Sequence, residues 1–356
     1  MAYWRCCRPG VKTRDRMFSL ALAEDRRYSS PDAVKLTAGS PPGLRAATPP
    51  RGWLPVRIGR QGGQAAVEWL YFGTRGLNEP FFQQTVHAVR RASGAEGVTR
   101  TALVTLMAVE EEIRPSAIVF HISRCGSTLL ANALRAATGA VVVSEPQPVS
   151  AVANAPALLA GAVRSYGRRR NDSERLVFLK LSGGNLMAIG TFRRLWPEVP
   201  FLVVIRNPVE VMVSCLSRRP GWMRMRGHPG RAALRYGWKQ REVEAMTEEE
   251  FCSRALAAML AAPLAVMGER CRVIDYTQID EARAHAVAGF IGLRVGGLDR
   301  ACLKRVFANY SKDQSGRSTF KADSGAKRAA ASRLVLDAAE RWAGPEYARL
   351  RAEARW

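Results

Sequence analysis

The sequence predicts an α/β chain: a mainly parallel central sheet interleaved with helices, preceded by a small β-hairpin and helix module. Three observations carry that expectation. After Pro115 short apolar, β-branched runs alternate with stretches of helical periodicity. Each run ends in polar residues. The first of them, from Ala117 to Phe120, turns through the polar loop SRCGST into a helix on which Leu129, Leu130, Ala133 and Leu134 recur at helical spacing.

Residues 1–50 mix Arg, Pro, Gly and Ser (SSPDA, GSPPG, TPPRG) without sustained periodicity and read as a loosely ordered leader. From Trp53, WLPVRIG and AAVEWLYFG read as two strands joined by GRQGGQ. NEPFFQQTVHAVRR follows as a helix, with Asn78 as its N-cap and Pro80 in its first turn. These form a small α+β module over 51–110, and residues 111–356 make the larger domain. In that domain VVVSEP from Val141 is the second strand, VFLKLS from Val177 the third, FLVVIRNP from Phe201 the fourth and CRVIDYTQI the fifth. Helices are expected from about Thr247 to Met267 and over HAVAGFIGL. Ligands of such sheets gather at the carboxyl ends of the strands, so the polar endings should converge.

With 54 Lys and Arg against 31 Asp and Glu the chain carries a formal charge of +23, which ordinarily suggests nucleic acid or an acidic surface. Eight of those cations are Lys, and the Arg residues are spread along the chain with no basic stripe interleaved with aromatics. That argues against nucleic acid and leaves anionic ligands in favour. The seven cysteines are scattered, with no CxxC pair and no His at metal spacing, which suits a reduced, cytoplasmic setting and no metal. MFSLALA is interrupted too soon by Glu24 and Asp25 for a secretory core. No run approaches the roughly 20 apolar residues of a membrane span.

The loop itself is a phosphate or sulfate cradle. Gly126 lets the backbone curl, while Ser127 and Thr128 bring hydroxyls and amides to a helix N-terminus, where orphan N–H groups and the macrodipole favour an anion. It is not the triphosphatase motif GxxxxGK[ST], because no Lys follows Gly126 and the cation, Arg124, precedes it. Arg206 closes a strand, and Ser214 lies eight residues on, in the helix that Asn207 and Pro208 open. A guanidinium with a hydroxyl two turns later suits a second phosphate, and two phosphate sites imply a bisphosphorylated nucleotide. Cys125 as a nucleophile is disfavoured, since a phosphatase loop needs its Arg after the Cys. His121, at a strand end, is expected to alternate away from the loop interior and to be structural.

On these residues the chain resembles the sulfotransferase superfamily that uses 3′-phosphoadenosine 5′-phosphosulfate (PAPS). SRCGSTLL looks like its 5′-phosphosulfate loop, RNPVEVMVS like its 3′-phosphate segment, and VIDYTQIDEARAHAVAGFIGL like a segment near the end of its domain. The likeness spans roughly 115–345 and implies a P-loop three-layer fold, with PAPS as cosubstrate and no metal. Carried over, Ser123, Arg124, Cys125, Gly126, Ser127 and Thr128 would hold the 5′ end, with Cys125 standing where Ser is usual. Arg206 and Ser214 would hold the 3′-phosphate. A basic Gly-containing loop covers that phosphate in the family, which makes Lys312, Arg317 and Lys321 candidate donors.

The family's small-molecule branch carries Lys-x-His where this chain reads Lys180-Leu181-Ser182, so the imidazole is missing. Other branches use a Glu about twenty residues beyond the loop Gly, and Glu145 fits, being the only carboxylate between Glu112 and Asp172. It could take the acceptor's proton if burial raised its pKa toward neutrality, or it could merely pair with Arg124. Arg124 and Lys180 are assigned the electrostatic role in sulfuryl transfer to a hydroxyl or amine. The implied acceptor is a small molecule or carbohydrate, selected by loops around 150–171 and 220–231 and by the N-terminal module. A P-loop kinase or other phosphotransferase and a non-catalytic nucleotide-binding scaffold are the alternatives, and assembly into a homo-oligomer is left open.

Overall fold

The computed structural model describes residues 44–45, 47–93, 97–293, 300–308, 323–354 and 356. Most of the leader and all of Lys312, Arg317 and Lys321 lie outside them.

Strands β1 (Trp53–Gln61) and β2 (Gln64–Tyr71) form the expected antiparallel hairpin, turning at Gly62 and Gly63, both at positive φ. A third strand that the sequence reading did not contain, β3 (Val98–Ala102), pairs antiparallel with β2. The following helix spans Phe82–Ser93, so Asn78 does not cap it and Pro80 precedes its first turn. Proline disfavours helical φ/ψ in the residue before it, here Glu79, which delays the start. Gln84 does the capping work instead, accepting from the Phe81 N–H at 3.2 Å. The small sheet is fastened to the rest: Gln147 bonds both the N–H and the carbonyl of Ile58, and the Tyr166 hydroxyl donates to the Pro55 carbonyl at 2.7 Å. Its apolar side chains continue into the main core.

The central sheet contains five parallel strands, β4 (Ala117–His121), β5 (Val141–Ser144), β6 (Val177–Lys180), β7 (Phe201–Ile205) and β8 (Cys271–Asp275), in the order β5-β6-β4-β7-β8. Every residue of β4, β6 and β7 is buried, so both faces of the sheet are covered, as parallel strands require. Phe120 packs between Phe192 and Phe201, with ring centroids 5.4 and 5.1 Å away. Burying such a ring contributes about 1.5–3 kcal/mol.

From β4 the chain goes to one side for β5 and β6, then crosses to the other for β7 and β8. Strand order therefore reverses between β4 and β7, and a crevice opens at their carboxyl ends. The helices after these strands are capped as their sequences dictate. Asn207 accepts from the Val209 N–H ahead of Pro208–Ser217, Thr247 caps Glu248–Ala261, and Asp280 caps Glu281–Phe290. The expected helix to Met267 continues beyond Ala261 only as a 3-10 turn, Ala262–Val266, where Pro263 removes a donor. Among the described residues no helix is long and apolar enough to cross a membrane.

Candidate functional site

Beyond β4 the backbone turns through left-handed conformations at Ser123 (φ 70°), Arg124 (53°) and Gly126 (84°) before the helix Ser127–Thr138 begins. Among the described residues only three non-glycines have positive φ: Ser123, Arg124 and Glu145. Each such position costs about 1–3 kcal/mol, and all three border one cleft, where such strain is typically kept for function. A Cβ on Gly126 would lie 2.7 Å from the Tyr276 ring, so glycine is demanded by space as well as by φ. Gly183, after β6, is held close for a related reason: its Cβ would meet the Ser123 hydroxyl at 2.7 Å.

The cleft, of about 560 Å³, is lined by Ser123 through Leu129 together with Arg206, Ser214 and Tyr276. Loop and Arg–Ser pair therefore share one cavity. Ser127 and Thr128 are buried at its floor, where the first helical turn leaves its N–H groups without intrahelical partners. Arg124 lines it, donating to the Arg218 carbonyl at 2.9 Å. Cys125 is fully buried, and desolvation pushes its thiol up to about 11, against contrary pulls from nearby backbone N–H groups and Lys180. Its thiol is held neutral, and Cys125 lines the cleft as part of the turn.

Arg206 is buried, and its Nη1 donates to the Arg124 carbonyl at 3.4 Å. Its Nε donates to Glu210 at 2.7 Å and its Nη2 to Asp323 at 2.6 Å and to the Ser324 hydroxyl at 3.1 Å, while its plane lies 3.9 Å from the Tyr276 ring centroid. Glu210 also accepts from Ser324 and Arg328. Burial works to raise the pKa of both carboxylates, but the hydrogen bonds and charges of their partners, Arg206 first, hold Glu210 and Asp323 below the usual range. Ser214 donates to the Glu210 carbonyl one helical turn back, which leaves its lone pairs for a ligand. Sequence reasoning missed Glu210, Asp323, Lys327 and Arg328. The first could have been found as the i+4 partner of Arg206; Asp323 and Lys327 lie within the basic segment YSKDQSGRSTFKADSGAK, of which only Lys312, Arg317 and Lys321 were picked out, and Arg328 directly follows it.

Glu145 follows β5 and meets Lys180, the last residue of β6, in a short ion pair; its Oε1 is also 3.3 Å from His121 Nε2. Its partner is thus Lys180 rather than Arg124. Desolvation would raise the Glu145 pKa, but Lys180 and then His121 outweigh it and hold the carboxyl well below the usual carboxylate range. The condition that burial lift it toward neutrality is not met. Lys180 is buried and does not itself line the cleft. His121 does, against expectation: its Nδ1 accepts the Ser123 N–H at 2.9 Å, because the left-handed turn folds the loop back over the strand end. An imidazole accepting at Nδ1 carries its proton on Nε2, the nitrogen nearest Glu145. A second cavity, of about 950 Å³, adjoins the first and shares Ser123, Glu145, Pro220 and Gly221 with it. Among the described residues no group of three His, Cys, Asp or Glu gathers as a metal site would need.

No protein-family model matches this chain, and no curated protein matches it. Among solved structures it is similar to a sulfotransferase from Alicyclobacillus acidocaldarius, 17% identical over 68% of this chain and 96% of that one, with a TM-score of 0.37. It is also similar to the sulfotransferase domain from the curacin biosynthetic pathway, 14% identical over 68% of this chain and 98% of that one, with a TM-score of 0.37.

Proposed function

We propose that this chain transfers a sulfuryl group from PAPS to a hydroxyl acceptor. One observation carries the reading: the Gly126 turn and the Arg206–Ser214 pair line the same cleft, and Glu145 lies where that cleft meets a second cavity. Two groups of anion-binding residues in one cleft suit a nucleotide that carries two phosphates.

The fit of the residues to PAPS rests on two features. At Gly126 a left-handed turn leads directly into the helix Ser127–Thr138, whose N-terminal N–H groups border the cleft and favour an anion. At Arg206 the Asp323 carboxylate already sits as an oxyanion, standing in for phosphate oxygens. On this reading Ser123 to Thr128, with Arg124, hold the 5′-phosphosulfate. Arg206, Ser214 and Lys327 hold the 3′-phosphate, with Lys312 and Arg317 as further donors to it.

In the reaction the acceptor oxygen bonds to sulfur, the bond from sulfur to the bridging phosphate oxygen breaks, and adenosine 3′,5′-bisphosphate departs. The acceptor proton goes to Glu145. A carboxylate held ionised is a weak base, but in a loose transition state the nucleophile loses its proton late, so orienting the hydroxyl matters more than basicity. Lys180 and His121 are positioning residues that act through Glu145. Arg124 offsets charge growing on the leaving phosphate.

Thermal-shift titration tests the reading. Adenosine 3′,5′-bisphosphate should stabilise the protein without metal, by about 2.7 kcal/mol at a hundred times its Kd. Stabilisation by Mg·ATP alone would favour a phosphotransferase instead. Glu145→Gln should bind the nucleotide yet transfer no sulfuryl group, and nucleotide binding with no turnover on a broad acceptor panel would leave only a scaffold.

A further inference from the structure

The second cavity is walled on one side by Ser150, Ser182, Gly183 and Gly184 and on the other by the segment 219–235. In that segment the 3-10 helix Gly221–Gly227 sorts its side chains sharply: Trp222, Met223 and Met225 are buried, while Arg224 and Arg226 are exposed. The indole N–H of Trp222 donates to the Ser123 hydroxyl at 3.1 Å, which ties this wall to the loop.

Five guanidinium groups line the cavity, from Arg219, Arg224, Arg226, Arg231 and Arg235, against two carboxylates, Glu145 and Glu248. Both carboxylates already have cationic partners, Lys180 and Arg219. Arg226 spends two donors on the Met246 carbonyl, and Arg235 donates to the Gly184 carbonyl and the Met225 sulfur. Arg224 and Arg231 make no side-chain hydrogen bond or ion pair among the described residues. Unengaged guanidinium forks on a concave wall, opposite a site that must receive a hydroxyl, match the geometry of a carboxylate, phosphate or sulfate. The concavity also concentrates the positive field.

We infer that the acceptor is itself acidic: a small hydroxyl compound bearing a carboxylate, phosphate or sulfate group. Arg224 and Arg231 grip that group while the hydroxyl faces Glu145. This rests on the sulfuryl-transfer reading above. A cavity of about 950 Å³ is at the upper end of the range for small-molecule sites, so an acidic monosaccharide or an aromatic hydroxy acid fits within it.

The test is calorimetric titration of the full chain, first saturated with adenosine 3′,5′-bisphosphate so that the nucleotide cleft is filled. The titrants are matched pairs: hydroxybenzoates against hydroxybenzamides, uronic acids against the parent sugars, and sugar phosphates against those same sugars. At least one acid should bind about tenfold or more tightly than its neutral partner, and Arg224→Gln and Arg231→Gln should each erase much of that preference. Arg→Lys at either position should restore part of it, with nucleotide affinity unchanged throughout. Equal affinity for acid and neutral compound in every pair overturns the inference, as does a preference that survives both Gln substitutions. Failure of the nucleotide itself to bind is read in the first step, and it takes down the sulfuryl-transfer reading together with this one.

Discussion

Replacing Arg206 by Met should separate the structural from the ligand-binding work of one side chain. The guanidinium neutralises Glu210, whose side chain is 2% exposed, and Arg206 itself is only 5% exposed, so this is a buried pair. Removing one member of such a pair typically costs about 3–5 kcal/mol, because the other charge is left uncompensated in a poorly solvating site. Glu210 keeps Ser324 and the largely exposed Arg328, which puts the expected loss at the lower end, about 3 kcal/mol. Nucleotide affinity should fall by about a hundredfold or more, the equivalent of two charge-assisted hydrogen bonds. The double variant Arg206→Met/Glu210→Leu removes both charges and should recover most of the stability, since an apolar replacement for a buried pair is often neutral. It should still bind no adenosine 3′,5′-bisphosphate. Urea denaturation followed at two probes gives the stability, and calorimetry the affinity. The reasoning is refuted if Arg206→Met has the parental denaturation midpoint, or if the double variant binds nucleotide as the parent does.

Three further outcomes follow from the same geometry. Glu145, Glu210 and Asp323 all have folded-state pKa values depressed below their ordinary values of 4.5, 4.5 and 3.8, so the unfolded chain binds more protons and stability falls on acidification below about pH 4.5. Glu145→Gln should lower stability at neutral pH, where Lys180 is left unpaired, and give a shallower acid limb in pH-dependent denaturation; an unchanged limb would contradict the ion pair. Cys125 should resist iodoacetamide at pH 8 in the native protein, because with a thiol near 11 only about one molecule in a thousand is thiolate and the sulfur is buried. Peptide mass mapping reads this, and rapid native labelling at Cys125 would show the turn to be more open than described. Gly126→Ala should lower the melting temperature and abolish nucleotide binding, since its Cβ would meet Tyr276 at 2.7 Å and Ile279 at 2.9 Å in a left-handed conformation.

The parallel strands were legible because burial on both faces writes them as apolar runs: AIVF, VFL and FLVVI need no partner to be recognised. Strand β3 was not, because VTRTA has one exposed face, and its place beside β2 is fixed by pairing, with Arg100 opposite Glu68 and bonded to it. Strand order was equally hidden, since it depends on contacts between segments far apart in the chain.

At the site the same division holds, between what is contiguous and what is assembled. Ser123 to Thr128, and Arg206 with Ser214, each sit within one short segment whose chemistry is complete in itself, and the sheet's switch point then brings the segments together. Glu145 could be singled out as a lone carboxylate at a strand end, but its ionisation could not. That depends on β5 and β6 being neighbours, which aligns Ser144 with Lys180 and carries the next residue onto the ammonium. His121 went wrong for a related reason: strand alternation gives the direction of its side chain, but not that two left-handed residues after Ile122 would fold the loop back onto it. The wall of the second cavity lay between these cases. The mix of Trp, Met and Arg over 222–226 is plain in the sequence, yet that this segment walls a cavity depends on its packing, with Trp222 bonded to Ser123 and the guanidinium groups exposed. The parts of this site that need two distant segments to agree are the ones that set its charge, so its electrostatics had to come from the fold even where its residues did not.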